Sequence, residues 1–283
     1  MVTPASCPCL ICHPDPAVHA SATMDAVTRH GWSALWVSGS LDFAYTVGLS
    51  HTFGAPELVM FGLGGEDMAS WLNAAVELGR DKGWPPLNEP YDGVIDGFET
   101  QLREVHPSWY RALFGAALGF YRGIAMPFHQ LVWPDRHGHW PWDEQATPSS
   151  RARQAFAWLP VAQHPEGAWR LVGELGPTFP FPVGPDAWAL TTRAVLSGSR
   201  PVVTVAYDQG SYDVLDDRGH AAEDLCLAFL GDIVRHHPGL RDCADMEEGQ
   251  VATARTGAGW TRAHVTAADR RTSKRAWTLA EPA

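Results

Sequence analysis

The chain predicts an α+β protein of two compact domains, each a mostly antiparallel sheet packed with helices. Three observations carry this expectation. Strand-like runs and helical stripes mix without a regular strand–helix–strand rhythm, which argues against a doubly wound sheet. The 283 residues suffice for one large domain or two modest ones. A stretch of small and charged residues, "EQATPSSRARQ" (Glu144–Gln154), interrupts the apolar patterning near the middle of the chain.

The elements follow in order. Pro4, Pro8, Pro14 and Pro16 punctuate a loop-rich arm over residues 1–27. "WSALWVSGSLDFAYTVGL" then reads as two short β-prone runs separated by Ser38-Gly39-Ser40, a hairpin pattern. "PELVMFGL" (Pro56–Leu63) is a buried strand, and the helix after it shows Met68, Leu72, Ala75 and Leu78 on one face, with Gly83 at its end. "GVIDGFETQLREV" is strand-like. "HPSWYRALFGAALGFYRG" spaces Trp109, Leu113, Ala116 and Phe120 as one helix. "FHQLVWPDRHGHWPWDE" is a strand running into an aromatic, proline-broken loop. The second half opens with "FAWLPVAQ", and its core stretch holds three strand-like runs broken by Ser197-Gly198-Ser199 and Asp208-Gln209-Gly210, an antiparallel meander. Leu225, Phe229 and Ile233 form a helical stripe stopped by Pro238 and Gly239, with Cys226 beside it as a small buried hydrophobe. The expected organisation is therefore an arm (1–27), a first domain (28–146), a linker (147–156), a second domain (157–264) and a flexible tail (265–283).

Composition narrows the partners. A formal charge of −11 works against a phosphate-tracking surface, and the basic cluster "DRRTSKR" (Asp269–Arg275) lies in the tail, so no nucleic-acid partner is expected. No run reaches the roughly twenty apolar residues of a membrane span, so no membrane partner is expected. The opening residues lack a basic stretch followed by an apolar run, so no secretory leader is expected. Five cysteines, three of them crowded together, do not make a disulfide framework; a reducing cytoplasm is the expected compartment.

Three constellations carry candidate chemistry. The first is "CPCLICHPD" (Cys7–Asp15), which contains a literal haem-attachment string, Cys9-Leu-Ile-Cys12-His13. Haem attachment of this kind belongs to exported proteins. A redox pair wants its thiols at a helix N-terminus, which Pro14 and Pro16 oppose. Zinc would take Cys7, Cys9 and Cys12 with a fourth ligand such as His13 or His19, but no second cysteine pair closes a tetrahedron. The expectation is an exposed thiol arm with no firm cofactor, zinc being the candidate if the folded domain supplies a ligand such as His137 or His139.

The second constellation is "VWPDRHGHWPWDE". Asp135, His137, His139 and Asp143 could converge on a metal or relay a proton, and Trp133 and Trp142 could wall a cleft for a small organic ligand or a peptide. The alternative is a packed, rigid loop capping a sheet. The third is "YTVGLSHTFGAPEL", in which Tyr45, His51 and Glu57 offer a phenol, an imidazole and a carboxylate. His51 and Glu57 could form an acid–base pair; a core tyrosine and a backbone-bonded histidine are the structural alternative. No nucleophile-elbow, phosphate-loop or dinucleotide fingerprint occurs.

"FAYTVGLSHTFGAPEL" (Phe43–Leu58), "LGFYRG" (Leu118–Gly123) and "HQLVWPDRHGHWPWD" (His129–Asp143) resemble the bacterial domain of unknown function 4262 family over about residues 30–145. The Cys-x-Cys-x-x-Cys arm is also typical of that group. The resemblance implies no established activity. "SGSRPVVTVAYDQGSYDVLDD" (Ser197–Asp217), "HHPGLRDCADMEEGQVATAR" (His236–Arg255) and Trp260 are similar to the immunity-like domain of unknown function 2185 family, with Tyr212 where a tryptophan is usual. That resemblance implies a toxin-like protein partner. The expected function is accordingly binding, of an immunity or accessory type, and not catalysis. The alternative is a metal-dependent enzyme, or an auxiliary of one, using the cysteine arm and the loop at 135–143.

Overall fold

A computed structural model of the chain describes residues 7–17, 21–38, 41–217, 220, 222–255 and 259–264. It divides into two units between Pro165 and Glu166, each with its own six-stranded sheet. His19 and the tail from residue 265 lie outside the described residues, as do Gly39 and Ser40 of the expected hairpin turn.

The first unit begins with the arm and with helix α1 (Ala22–His30), which Ser21 caps and Gly31 ends in the left-handed conformation. Strands β1 (Ser33–Val37) and β2 (Phe43–Val47) pair antiparallel, as the two β-prone runs predict. There follow α2 (Leu49–Phe53), β3 (Glu57–Phe61), α3 (Gly65–Lys82), β4 (Pro90–Ile95), β5 (Phe98–Glu104), α4 (Tyr110–Leu113), α5 (Gly115–Phe120), β6 (Phe128–Val132) and α6 (Pro148–Arg153). The sheet order is β1-β2-β3-β6-β5-β4, antiparallel except for β3 beside β6.

Every residue of β2 and β3 is buried, because both faces of the sheet are covered. Met68, Leu72, Ala75 and Val76 of α3 pack with Ala44, Leu58, Met60 and Leu131. An aromatic cluster fills another part of the core: Phe114 stacks on Phe128 at 3.8 Å, and Tyr45 and Tyr110 meet them edge-on. That cluster explains one departure from expectation. The helix predicted through residues 107–120 breaks at Phe114 (φ −114°, ψ 39°) into α4 and α5, so that the ring can stack on the strand. Gly115 and Gly119 make the break cheap, since glycine adds little to helix continuity.

The expected linker at 147–156 is instead part of the first unit, as is "FAWLPVAQ". Polar side chains that mimic a strand partner hold it there. Gln154 donates to the Trp133 carbonyl (2.8 Å) and accepts from the Trp133 N–H (3.3 Å); Gln130 donates to the Ala155 carbonyl (2.8 Å) and accepts from the Ala157 N–H (3.2 Å). An amide side chain offers a donor and an acceptor, as a peptide group does.

The second unit contains α7 (Ala168–Leu175), β7 (Trp188–Thr192), α8 (Arg193–Leu196), β8 (Thr204–Asp208), β9 (Ser211–Leu215), β10 (Leu225–Phe229), α9 (Leu230–His236), β11 (Gln250–Ala254) and β12 (Trp260–His264). Its sheet runs β10-β7-β9-β8-β11-β12 and is antiparallel apart from β7 beside β9. The β8–β9 hairpin turns at Gln209 and Gly210, both at positive φ, as the Asp-Gln-Gly signal predicts. The expected three-strand meander is corrected, because β7 pairs in parallel with β9 and not with β8. The expected helical stripe from Leu225 is corrected too. Leu225–Phe229 is an edge strand on β7, and the helix starts only at Leu230. Five short apolar residues fit either period, and pairing with β7 decides in favour of the strand. No helix among the described residues is long and apolar enough to cross a membrane.

Candidate metal centre

The arm is not an exposed tail. Cys9 and Leu10 are buried, and the Leu10 N–H donates to the Phe120 carbonyl (2.9 Å) at the end of α5. The chain then turns back on itself: the His13 N–H reaches the Cys9 carbonyl (2.9 Å) and the Cys12 N–H points at Cys9 Sγ (3.5 Å). This tight turn gathers Cys7, Cys9 and Cys12. The fourth member comes from far along the chain. His51 sits on α2, the short helical turn between β2 and β3, and its Nδ1 lies 3.6, 3.3 and 3.5 Å from the sulfurs of Cys7, Cys9 and Cys12. All four donor atoms lie within 4.8 Å of one another.

Hydrogen bonding does not account for this geometry. One imidazole nitrogen carries either a single proton or a single in-plane lone pair, so it can bond one thiol and not three. A shared cation does account for it. With Zn–S near 2.3 Å and Zn–N near 2.0–2.1 Å, a tetrahedron separates sulfur from nitrogen by about 3.5–3.6 Å. Burial disfavours the thiolate form of a cysteine. Burial pushes the Cys7 thiol up to about 12, against a Cys9 backbone hydrogen bond that lowers it, and burial raises Cys12; the Cys9 thiol adds to both. Burial also lowers His51, which favours the neutral ring. A metal at this position would have to displace the thiol protons.

A second network fixes His51 in place. Glu57 is fully buried at the start of β3, and its carboxylate accepts four hydrogen bonds: from Thr46 Oγ1 (2.7 Å), Tyr121 Oη (2.5 Å), the Gly48 N–H (3.0 Å) and the Ser50 N–H (3.2 Å). Two of these donors are the backbone at the start of α2, so Glu57 clamps the turn that carries His51. Burial raises the Glu57 carboxyl although its four donors pull the other way, and it raises Tyr121, with the Glu57 charge adding to the effect. Gly48 serves the same turn at φ +114°; a Cβ there would come within 2.8 Å of Val27.

The predicted candidates therefore separate. Cys7, Cys9, Cys12 and His51 converge; His13 is exposed and outside the group. His51 and Glu57, which could have formed an acid–base pair, do not bond each other: His51 Nδ1 faces the sulfurs and the Glu57 carboxyl takes its four donors. Tyr45 is a core ring, its hydroxyl raised by burial. In the 135–143 loop, Asp135 accepts the N–H groups of His137 (2.9 Å), His139 (3.1 Å) and Thr147 (3.0 Å). Burial pushes that carboxyl up, but these three bonds prevail and hold it down at about 2. The His137 and His139 rings stand 6.3 Å apart, and only His139 comes near Asp135, at 3.7 Å. Asp143 closes a turn by accepting from the Trp140 N–H (2.8 Å). Trp133 donates from its ring to the Phe61 carbonyl (2.9 Å), and Trp142 stacks on Trp140 beneath the Arg103 guanidinium. The loop is tied down by these contacts, and neither histidine joins the cysteines. Sequence spacing carries no sign of His51 as the fourth donor, since it lies 39–44 residues from the cysteines.

Two sheets packed with helices make this an α+β protein, and its first unit carries a Cys3His cluster that could hold a metal ion. Residues 26–147 match the family described as Domain of unknown function (DUF4262). That span contains β1 to β6 and His51, and it begins after the three cysteines. No curated protein and no solved structure matches the chain.

Proposed function

We propose that Cys7, Cys9, Cys12 and His51 hold one zinc ion of the structural type, which pins the arm to the first unit, and that the chain acts by binding a protein partner. The observation that carries the zinc assignment is the near-equal spacing of three sulfurs around His51 Nδ1. Three thiolates and one imidazole form a soft donor set that suits zinc over magnesium or calcium. Four protein donors fill a tetrahedral shell and leave no position for substrate, which favours a holding role over Lewis-acid chemistry. Elemental analysis tests the assignment. Purified protein is expected to carry about one equivalent of zinc, and Cys9→Ser or His51→Ala to lose it; metal-free wild-type protein would reject it.

The binding role draws support from the second unit. Trp188 and Leu227 are 55% and 64% exposed on paired strands β7 and β10, and Phe229 packs on Trp188 at 4.3 Å. Exposed aromatic and aliphatic groups on adjacent strands suit a protein contact. From the resemblance read in the sequence alone, we take a toxin-like protein as the partner class of first choice. Co-expression with toxins encoded beside the gene is the test. Protection that Trp188→Ser with Leu227→Ser abolishes supports the reading, and no protection or complex with any neighbour rejects it.

A further inference from the structure

Beside the metal centre lies an open cleft of about 470 Å³, built from the end of α1, the α2 turn and the side of α3. Thr52 Oγ1 donates to the Gly31 carbonyl (2.6 Å) and thereby joins α1 to α2 along its wall. Ile11, Val27 and Phe53 give it apolar surface. Among the residues lining it none is acidic; the charge it presents is Arg80, whose guanidinium lies 5.2 Å from the Phe53 ring and 5.9 Å from Trp32. Among the described residues Arg80 has no carboxylate partner.

His51 also lines this cleft. Its Nδ1 is turned to the three sulfurs, so the edge left to face the cleft is the one bearing Nε2. A metal on Nδ1 fixes the tautomer and leaves a proton on Nε2. Metal-binding histidines hand that second N–H to a carboxylate, a carbonyl or a water, and a carboxylate is the partner that strengthens the ligand most. Among the described residues nothing fills this role for His51. The chain has thus assembled the donor, a neighbouring cation and apolar walls, without the carboxylate itself.

We propose that the cleft binds a small carboxylate with an apolar tail, its oxygens meeting His51 Nε2–H and Arg80 and its tail lying against Ile11, Val27 and Phe53. The inference rests on the zinc reading, because the metal on Nδ1 is what presents Nε2–H outward. A volume of this order fits a small organic ligand, and a charge-assisted contact to Arg80 gives it direction.

The test uses the full-length protein, with zinc content measured first. Histidine-ring nitrogen NMR then follows a titration with phenylacetate and, in parallel, with neutral phenylacetamide. Phenylacetate is expected to move the His51 Nε2 signal saturably and phenylacetamide to leave it in place. Arg80→Gln, at an exposed position, is expected to keep its zinc and to weaken phenylacetate by about tenfold. Zinc-loaded wild-type protein whose His51 signal ignores phenylacetate, or responds equally to the amide, overturns the cleft and leaves the metal site standing. Protein without zinc overturns both.

Discussion

Removing the metal is expected to release the arm while the first unit's sheet stays folded. Ordering the roughly eleven residues from Cys7 to Ala17 costs about 1–2 kcal/mol each in backbone freedom, on the order of ten to twenty kcal/mol together. The arm's own contacts return little of that. Leu10 is its large buried apolar side chain, contributing about 1.5–3 kcal/mol, and its backbone bond to Phe120 adds about 1 kcal/mol. The difference is of the size that a structural zinc site supplies, about 10–16 kcal/mol. Hydrogen exchange with and without a strong chelator reads this directly. Amides of residues 9–13 should lose protection on chelation, and those of β2, β3 and β6 should keep it. An arm that stays protected without metal would refute the argument, because the packing alone would then be holding it.

Other consequences concern the supports of the site and the second core. The Glu57 carboxyl is raised by burial, so the folded state holds its proton more strongly than the unfolded chain does. Its contribution to stability is therefore greatest below the ordinary carboxyl range and falls as pH rises through that range toward the folded value. Relative to wild type, Glu57→Gln should gain stability in urea unfolding as pH rises; a relative loss would mean that the four donors outweigh burial. Gly48→Ala puts a Cβ 2.8 Å from Val27 and 2.9 Å from the Gly31 carbonyl at φ +114°. It should cost about 1–3 kcal/mol and weaken zinc retention, checked by thermal unfolding and chelator competition; an unchanged protein would contradict the role of Gly48 in the α2 turn. Tyr212 buries a hydroxyl with no hydrogen-bond partner among the described residues. Tyr212→Phe should be neutral or stabilising by up to about 1 kcal/mol, and a clear fall in melting temperature would show that the hydroxyl is bonded.

Much of the architecture was legible in the chain because it is local. The apolar face of α3, the β1–β2 pair and the Gln209–Gly210 turn depend on residues a few positions apart, and periodicity or turn chemistry reads them directly. What periodicity alone misplaces is decided at long range. Leu225–Phe229 becomes a strand because β7 lies beside it, and the 107–120 helix breaks because Phe114 finds Phe128. The segment after Gln154 looks like a linker until Gln130 and Trp133 pair with it. The Cys3His cluster divides the same way. Its three cysteines stand in one short string, whereas the histidine is delivered by a turn whose position depends on Glu57, Tyr121 and Gly48. A lone histidine between glycines gives no hint that it will meet the three cysteines, and nearby His13 lies outside their cluster.

Zinc K-edge X-ray absorption on the purified protein tests the central claim most directly. The account predicts a first shell of three sulfurs near 2.3 Å and one nitrogen near 2.0–2.1 Å, with the nitrogen contribution lost in His51→Ala. A shell of oxygen and nitrogen donors alone, or a sulfur count that ignores Cys7, Cys9 and Cys12 substitutions, would contradict it.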